Sequence, residues 1–187
     1  MRPIFTLLLS AFLLFVCSAL AQQQQPMTDE DVAAVFNRIS QRAARLEPML
    51  DQLHPDDWVA KGAPDTYVAQ WNSLRQQYMA VQTDLADLSQ HMDRLTDSLK
   101  ALFRIQAANR ALGSLLGGVR RYQNPALADL LESVAAESAS DIDRFEQHLT
   151  EMADAKDKQY ALVDREAQRC RATLSRQPAP AASHRQQ

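Results

Sequence analysis

Ten apolar residues, Trp71, Leu74, Tyr78, Val81, Leu85, Leu88, Met92, Leu95, Leu99 and Leu102, follow one another at gaps of three and four without a miss. That is an a/d seam sustained over more than four heptads. Such a seam is met only when helices supply the period and a second helix covers it. No Gly or Pro interrupts residues 65 to 112. A single helix from 66 to 121 would run about 84 Å at 1.5 Å per residue. A chain of this size packs more easily if that rod folds back. Thr96, Asp97 and Ser98 cap helices readily and propagate them poorly, so the expected break lies there.

The same period marks both flanks of the seam. Val32, Val35, Phe36, Ile39, Ala43 and Leu46 share one face after Thr28, which with Asp31 has capping-box spacing. Pro48 predicts a kink or stop near Glu47. The segment from His54 to Asp65, HPDDWVAKGAPD, reads as a connection. Trp58, Tyr67 and Trp71 read as core anchors closing that connection onto the bundle. After Asn124-Pro125, a stripe of Leu127, Leu131, Val134, Ile142, Phe145, Leu149, Met152, Val163, Ala167, Cys170 and Leu174 predicts one more long helix. Its middle is weakened at Ser138 to Asp141, where Ser140 suits a fresh cap with Asp143. No alternating β-branched run occurs. The expected fold is all-α, an antiparallel helical bundle with long coiled-coil-like helices. Their bounds are about 28–47, 65–95, 97–122 and 125–174, within a bundle spanning 28–174.

The ends carry different signals. Residues 1–21, MRPIFTLLLSAFLLFVCSALA, place one cation before a short apolar run that closes on small residues. This is the pattern of a secretory signal peptide, and the run falls short of the roughly 20 apolar residues of a membrane span. Cleavage after Ala21 predicts an exported chain, periplasmic or secreted, with no transmembrane segment. A lipidated Cys17 is disfavoured because Val16 stands where a small residue is wanted. Residues 22–27 read as a flexible lead-in. Residues 175–187, rich in Pro and Ala, read as a disordered tail.

Composition narrows the functions. The chain holds 20 basic and 23 acidic side chains, too few clustered cations for nucleic acid. Of its two cysteines one lies in the signal, so the mature fold has no internal disulfide to lean on. Cys170 falls on the apolar stripe, which predicts a buried small hydrophobe. Arg165, Arg169 and Arg171 nearby would lower its pKa if it were exposed, making it a reactive or interchain thiol. His54, His91, His148 and His184 are scattered, without the adjacent-turn Glu-x-x-His pairing of ferritin-like bundles, and no nucleophile elbow is visible. Neither a cofactor nor an enzymatic activity is expected.

Residues 113–131, GSLLGGVRRYQNPALADLL, concentrate three of the four glycines. They lack the preceding strand and following Lys of a phosphate loop. Gly113 and Gly117 share a helix face and invite close approach, as Gly118 does. Arg120 and Arg121 suit a helix C-terminus, and Asn124 caps the next helix with Pro125 at its first position. The stretch reads as a helix–helix corner. Its Arg pair is a candidate contact for an anionic group.

The stretches WVAKGAPDTYVAQW (58–71), GGVRRYQNPALADLL (117–131) and DREAQRCR (164–171) resemble segments of an uncharacterised family of small exported helical bacterial proteins with no assigned activity. The resemblance implies export and helicity and carries over no functional residue. Three functions are therefore weighed. The first is a non-enzymatic exported bundle acting by self-association or on an unknown envelope protein. The second is a periplasmic helical chaperone or stress-sensing adaptor, although the Leu-Thr-x-x-Gln motif of one such family is absent. The third is an enzyme or metal protein. Candidate interaction residues are Arg120, Arg121 and Cys170.

Overall fold

A computed structural model describes residues 27–176, so the expected signal peptide with Cys17, most of the expected lead-in and the expected tail from 177 lie outside the described residues. Among the described residues 86% are helical and none is in a strand. The elements are α1 (Asp29–Leu50), α2 (Pro55–Ala60), α3 (Thr66–Leu88), α4 (Leu95–Tyr122), α5 (Pro125–Ala136) and α6 (Ala139–Arg176).

Side-chain pairs give the directions. Arg75 of α3 meets Asp51 just after α1 at 2.7 Å, and Trp71 Nε1 donates to the Leu50 carbonyl at 2.8 Å. Near the other end of α1, Phe36 shares a hollow with Leu85 of α3. Helices α1 and α3 therefore run antiparallel. The α3–α4 hairpin reverses the chain again. On the far side, Gln106 of α4 reaches Glu146 of α6 at 2.8 Å, and Phe36 stacks edge-on against Phe145 with centroids 4.9 Å apart. The result is an up-down-up-down bundle of α1, α3, α4 and a fourth arm made of α5 and α6. Its core includes Leu46, Trp58, Leu74, Leu85, Leu115, Leu131 and Phe145, all essentially without solvent contact.

Local chemistry explains most of the boundaries. Thr28 and Asp31 form the full capping box that opens α1. Asn124 caps α5, accepting from the Ala126 N–H at 2.9 Å, with Pro125 in the first turn. Three expected boundaries are corrected. Helix α1 runs through Pro48 to Leu50, because a proline in the last turn forfeits a single backbone bond. Burial of Leu50 and Leu53 and the Trp71 hydrogen bond hold that turn in place.

The break in the long seam falls at Ser89–Arg94, not at Thr96–Ser98. There the Ser89 hydroxyl donates to the Ala86 carbonyl at 2.6 Å, while Asp97 takes the first turn of α4, where an acid suits the dipole. The last stretch is interrupted at Glu137–Ser138, two residues before the expected Ser140 cap, with the Ser138 hydroxyl on the Ala135 carbonyl at 2.8 Å. The final helix is still running at Arg176, the last described residue.

The hairpin decides what the heptad seam is for. Leu74, Tyr78, Val81, Leu85 and Leu88 on α3 are buried, and so is Leu102 on α4, with Met92, Leu95 and Leu99 packed at its edge. The seam finds its facing helix within its own chain.

Candidate functional site

The corner between α4 and α5 is built as a knot. Gln123 Oε1 accepts from the His54 N–H at 3.1 Å and from Trp58 Nε1 at 3.0 Å, while its Nε2 donates to the Gln52 carbonyl at 2.7 Å. One amide thereby satisfies groups from the end of α1 and from α2. Lys61 Nζ reaches the Tyr122 carbonyl at 3.1 Å. Gly118 is needed here: a Cβ on it would lie 2.8 Å from Tyr67 Cε1 and 3.1 Å from Trp58 Cζ3. The rings of Trp58, Tyr67 and Tyr122 meet edge-on in succession. Gly113 and Gly117 face open space instead, so the close approach expected at them is not made.

Arg120 is already engaged. Its guanidinium holds Asp129 at 3.1 Å and also contacts Glu132, and these hydrogen bonds, Glu132 first, raise its pKa further. Arg121 lies over the Tyr122 ring at 5.3 Å and has no carboxylate within ion-pair distance among the described residues. Among the described residues the Arg pair therefore offers one unpaired cation, which is a modest lure for an anion.

Cys170 is at the other end of the molecule, and it is exposed. The expectation of burial is corrected together with that for its stripe: Val163 is 57% exposed and Leu174 68%. Periodicity names the face of a helix that is apolar but not how far its neighbours extend. Here α1 begins at Asp29, near His148, and the α3–α4 turn is passed where Lys156 and Tyr160 border Asp93 to Asp97. Residues 161–176 continue as helix for about 24 Å at 1.5 Å per residue, with no other described element beside them. The structure brings Arg120 and Arg121 together and leaves Cys170 far from both.

A charged cluster that sequence reasoning missed clamps α6 to α1. Asp141, 4% exposed, accepts from Arg38 Nε at 2.9 Å and Nη2 at 2.7 Å and also from Arg42. Glu137 pairs with Arg45 and lies 3.9 Å from Arg42. Burial alone pushes the Asp141 carboxyl up, but the hydrogen bonds from Arg38 and Arg42 outweigh it and hold its pKa below the ordinary 3.8. The signal was present in the sequence: Arg38, Arg42 and Arg45 share a face of α1, and Glu137 and Asp141 stand four apart.

Two further hollows are large enough to weigh as sites. One of about 480 Å³ at the α3–α4 turn is lined by internally balanced charges, with Arg104 on Asp84 at 2.9 Å and Lys100 on Asp97 at 3.2 Å. A groove of about 520 Å³ runs between α4, α5 and α6 over Gly113, Leu116, Ala135 and Ile142. Among the described residues no three His, Cys, Asp or Glu side chains converge as a metal site, and no helix is long and apolar enough to cross a membrane. Set beside known protein families, curated proteins and solved structures, the chain finds no match.

Proposed function

We propose that this is an exported, non-enzymatic helical-bundle protein that acts by association, and that its contact surface is the free end of α6. One observation carries the proposal. The long heptad seam is consumed inside the α3–α4 hairpin, whereas Val163, Ala167, Cys170 and Leu174 repeat the same four-three-four spacing on a stretch of helix that no other described element covers. A chain gains little by extending a bare amphipathic helix past its own bundle unless another surface covers it. The clustered cations of a nucleic-acid surface and the convergent ligands of a metal site do not compete with this feature.

A photo-crosslinking residue at Val163 or Leu174, in cells making the protein, should give adducts that the same residue at exposed Gln76 does not. Adducts of twice the chain mass mean self-association, and other masses mean a different envelope protein. Equal labelling at all three positions would remove the basis of the proposal. N-terminal sequencing of protein from the periplasm or medium, expected to begin at Gln22, tests export.

The chaperone or stress-sensing alternative needs an exposed apolar concavity. The strongly exposed large apolar residues include Tyr160, Leu162, Val163 and Leu174 on the one protruding helix, while Met79, Phe103 and Leu130 lie apart on α3, α4 and α5. Failure to suppress client aggregation at stoichiometric ratio would dispose of that alternative.

A further inference from the structure

We propose that the free end of α6 pairs with the same segment of a second copy of this chain, running antiparallel, with Asp164 of each copy beside Arg171 of the other. The inference rests on the association reading above and names its partner.

Helical geometry fixes the direction. Val163 follows Phe145 by 18 residues, about five full turns, so both point the same way from the helix axis. Phe145 points into the bundle, against Phe36 of α1. The bare stripe therefore lies in line with the space that α1 and α4 occupy further down. A parallel partner seated on it would run back into those helices. An antiparallel partner arrives from beyond the tip and carries its own bundle at the far end.

Seam overlap and charge then choose one register. Only one antiparallel alignment lays all four seam positions of one copy over all four of the other, with residue 163 opposite 174. That alignment puts Val163 opposite Leu174 and Ala167 opposite Cys170, so each seam position meets a seam position of the other copy. Asp164 and Arg171 each stand one residue after a seam position, on the same edge. The alignment brings Asp164 of one copy beside Arg171 of the other, twice over. On the opposite edge Glu166 meets Thr173, and no like charges face each other. The small Ala167 and Cys170 at the centre let the helices come close. Residues 177–187, QPAPAASHRQQ, hold no large apolar side chain that could cover the stripe in place of a second copy.

The pairing is short, so its dimer should dissociate at about micromolar concentration. The test is sedimentation equilibrium of residues 22–187 in reductant, from about 1 to about 300 µM. All the variants change exposed residues, and circular dichroism checks that each keeps its helix content. The wild type should dimerise. Asp164→Arg should weaken the dimer on the order of tenfold, because two attractions become two repulsions. Val163→Glu should weaken it further, and Asp164→Arg with Arg171→Asp should return it to near the wild-type constant.

A wild-type monomer throughout the range overturns the pairing, while crosslinked adducts of other mass would leave the association reading standing. A dimer indifferent to both Val163→Glu and Asp164→Arg overturns it as well. Weakening by Asp164→Arg without rescue by the charge swap overturns the antiparallel register, since a parallel pair would set Arg171 against Glu166 instead.

Discussion

Replacing Asp141 by Asn asks how much one buried carboxylate contributes to joining α6 to α1. The change keeps the shape and removes the charge. It turns three hydrogen bonds from Arg38 and Arg42 into at most weak contacts and leaves two guanidiniums facing an amide. Breaking a fully buried pair costs about 3–5 kcal/mol. Here the Arg38 and Arg42 side chains are 39% and 18% exposed, so both recover part of their hydration once the carboxylate is gone. The expected loss is therefore about 2–3 kcal/mol, which for a domain of this size lowers Tm by about 5–10 °C.

Acid gives a second measure of the same interaction. Because the folded-state pKa of Asp141 lies below its ordinary 3.8, its contribution is complete above that value and fades as pH falls through the folded pKa. In urea melts the gap between wild type and Asp141→Asn should be full at pH 7 and narrow progressively as the pH is taken below 3.8, because the acid removes what the mutation has already removed. A difference at pH 7 under about 0.5 kcal/mol would mean that the cluster is solvated decoration and that apolar packing alone holds α6 on α1.

Other expectations concern single positions. Gly118→Ala should cost about 1–3 kcal/mol by pushing its methyl into Tyr67 and Trp58, whereas Gly117→Ala, facing open space on the same helix, should gain about 0.5–1 kcal/mol, both read by denaturant melts. Gln123→Ala leaves Trp58 Nε1 buried without an acceptor and should cost about 1–3 kcal/mol, with a shifted tryptophan emission. Ser98, 1% exposed, has a hydroxyl without a partner, so Ser98→Ala should be neutral or stabilising by up to about 1 kcal/mol in thermal melts. Burial lowers the His148 pKa against the pull of Glu151 and Asp29, so the unfolded chain takes up this proton first. Stability should therefore fall as pH drops below about 6.5, and His148→Gln should flatten that part of the profile.

Some features were legible because their causes are local. The capping box at Thr28, the Asn124-Pro125 start of α5 and the apolar faces of α1 and α3 all follow from residues within one or two turns of each other. The corner at 117–125 was legible for the same reason, although Gln123, which ties it together, shows no signal of its own. Its partners at Gln52, His54 and Trp58 are about seventy residues away, and any glutamine in a turn reads alike. The hairpin at Ser89–Arg94 was misplaced because neither Gly nor Pro marks it; burial on both sides of the turn outweighs local preference.

The sequence by itself determined that the chain is helical, which face of each helix is apolar, and that no disulfide holds the described fold, since periodicity and residue inventory are properties of the chain alone. Tertiary structure decided which apolar faces are covered. Two stripes of the same spacing, one on α3 and one at the end of α6, read identically as sequence; the first is core and the second is left uncovered by any other described element. The physical reason is that hydrophobic burial requires a neighbour, and where neighbours begin and end is set by the lengths of the other helices. Arg120 and Arg121 make the same point in charge: adjacent and alike in the chain, one is paired with Asp129 and Glu132 and the other rests on a tyrosine ring, because only the fold places carboxylates beside the first.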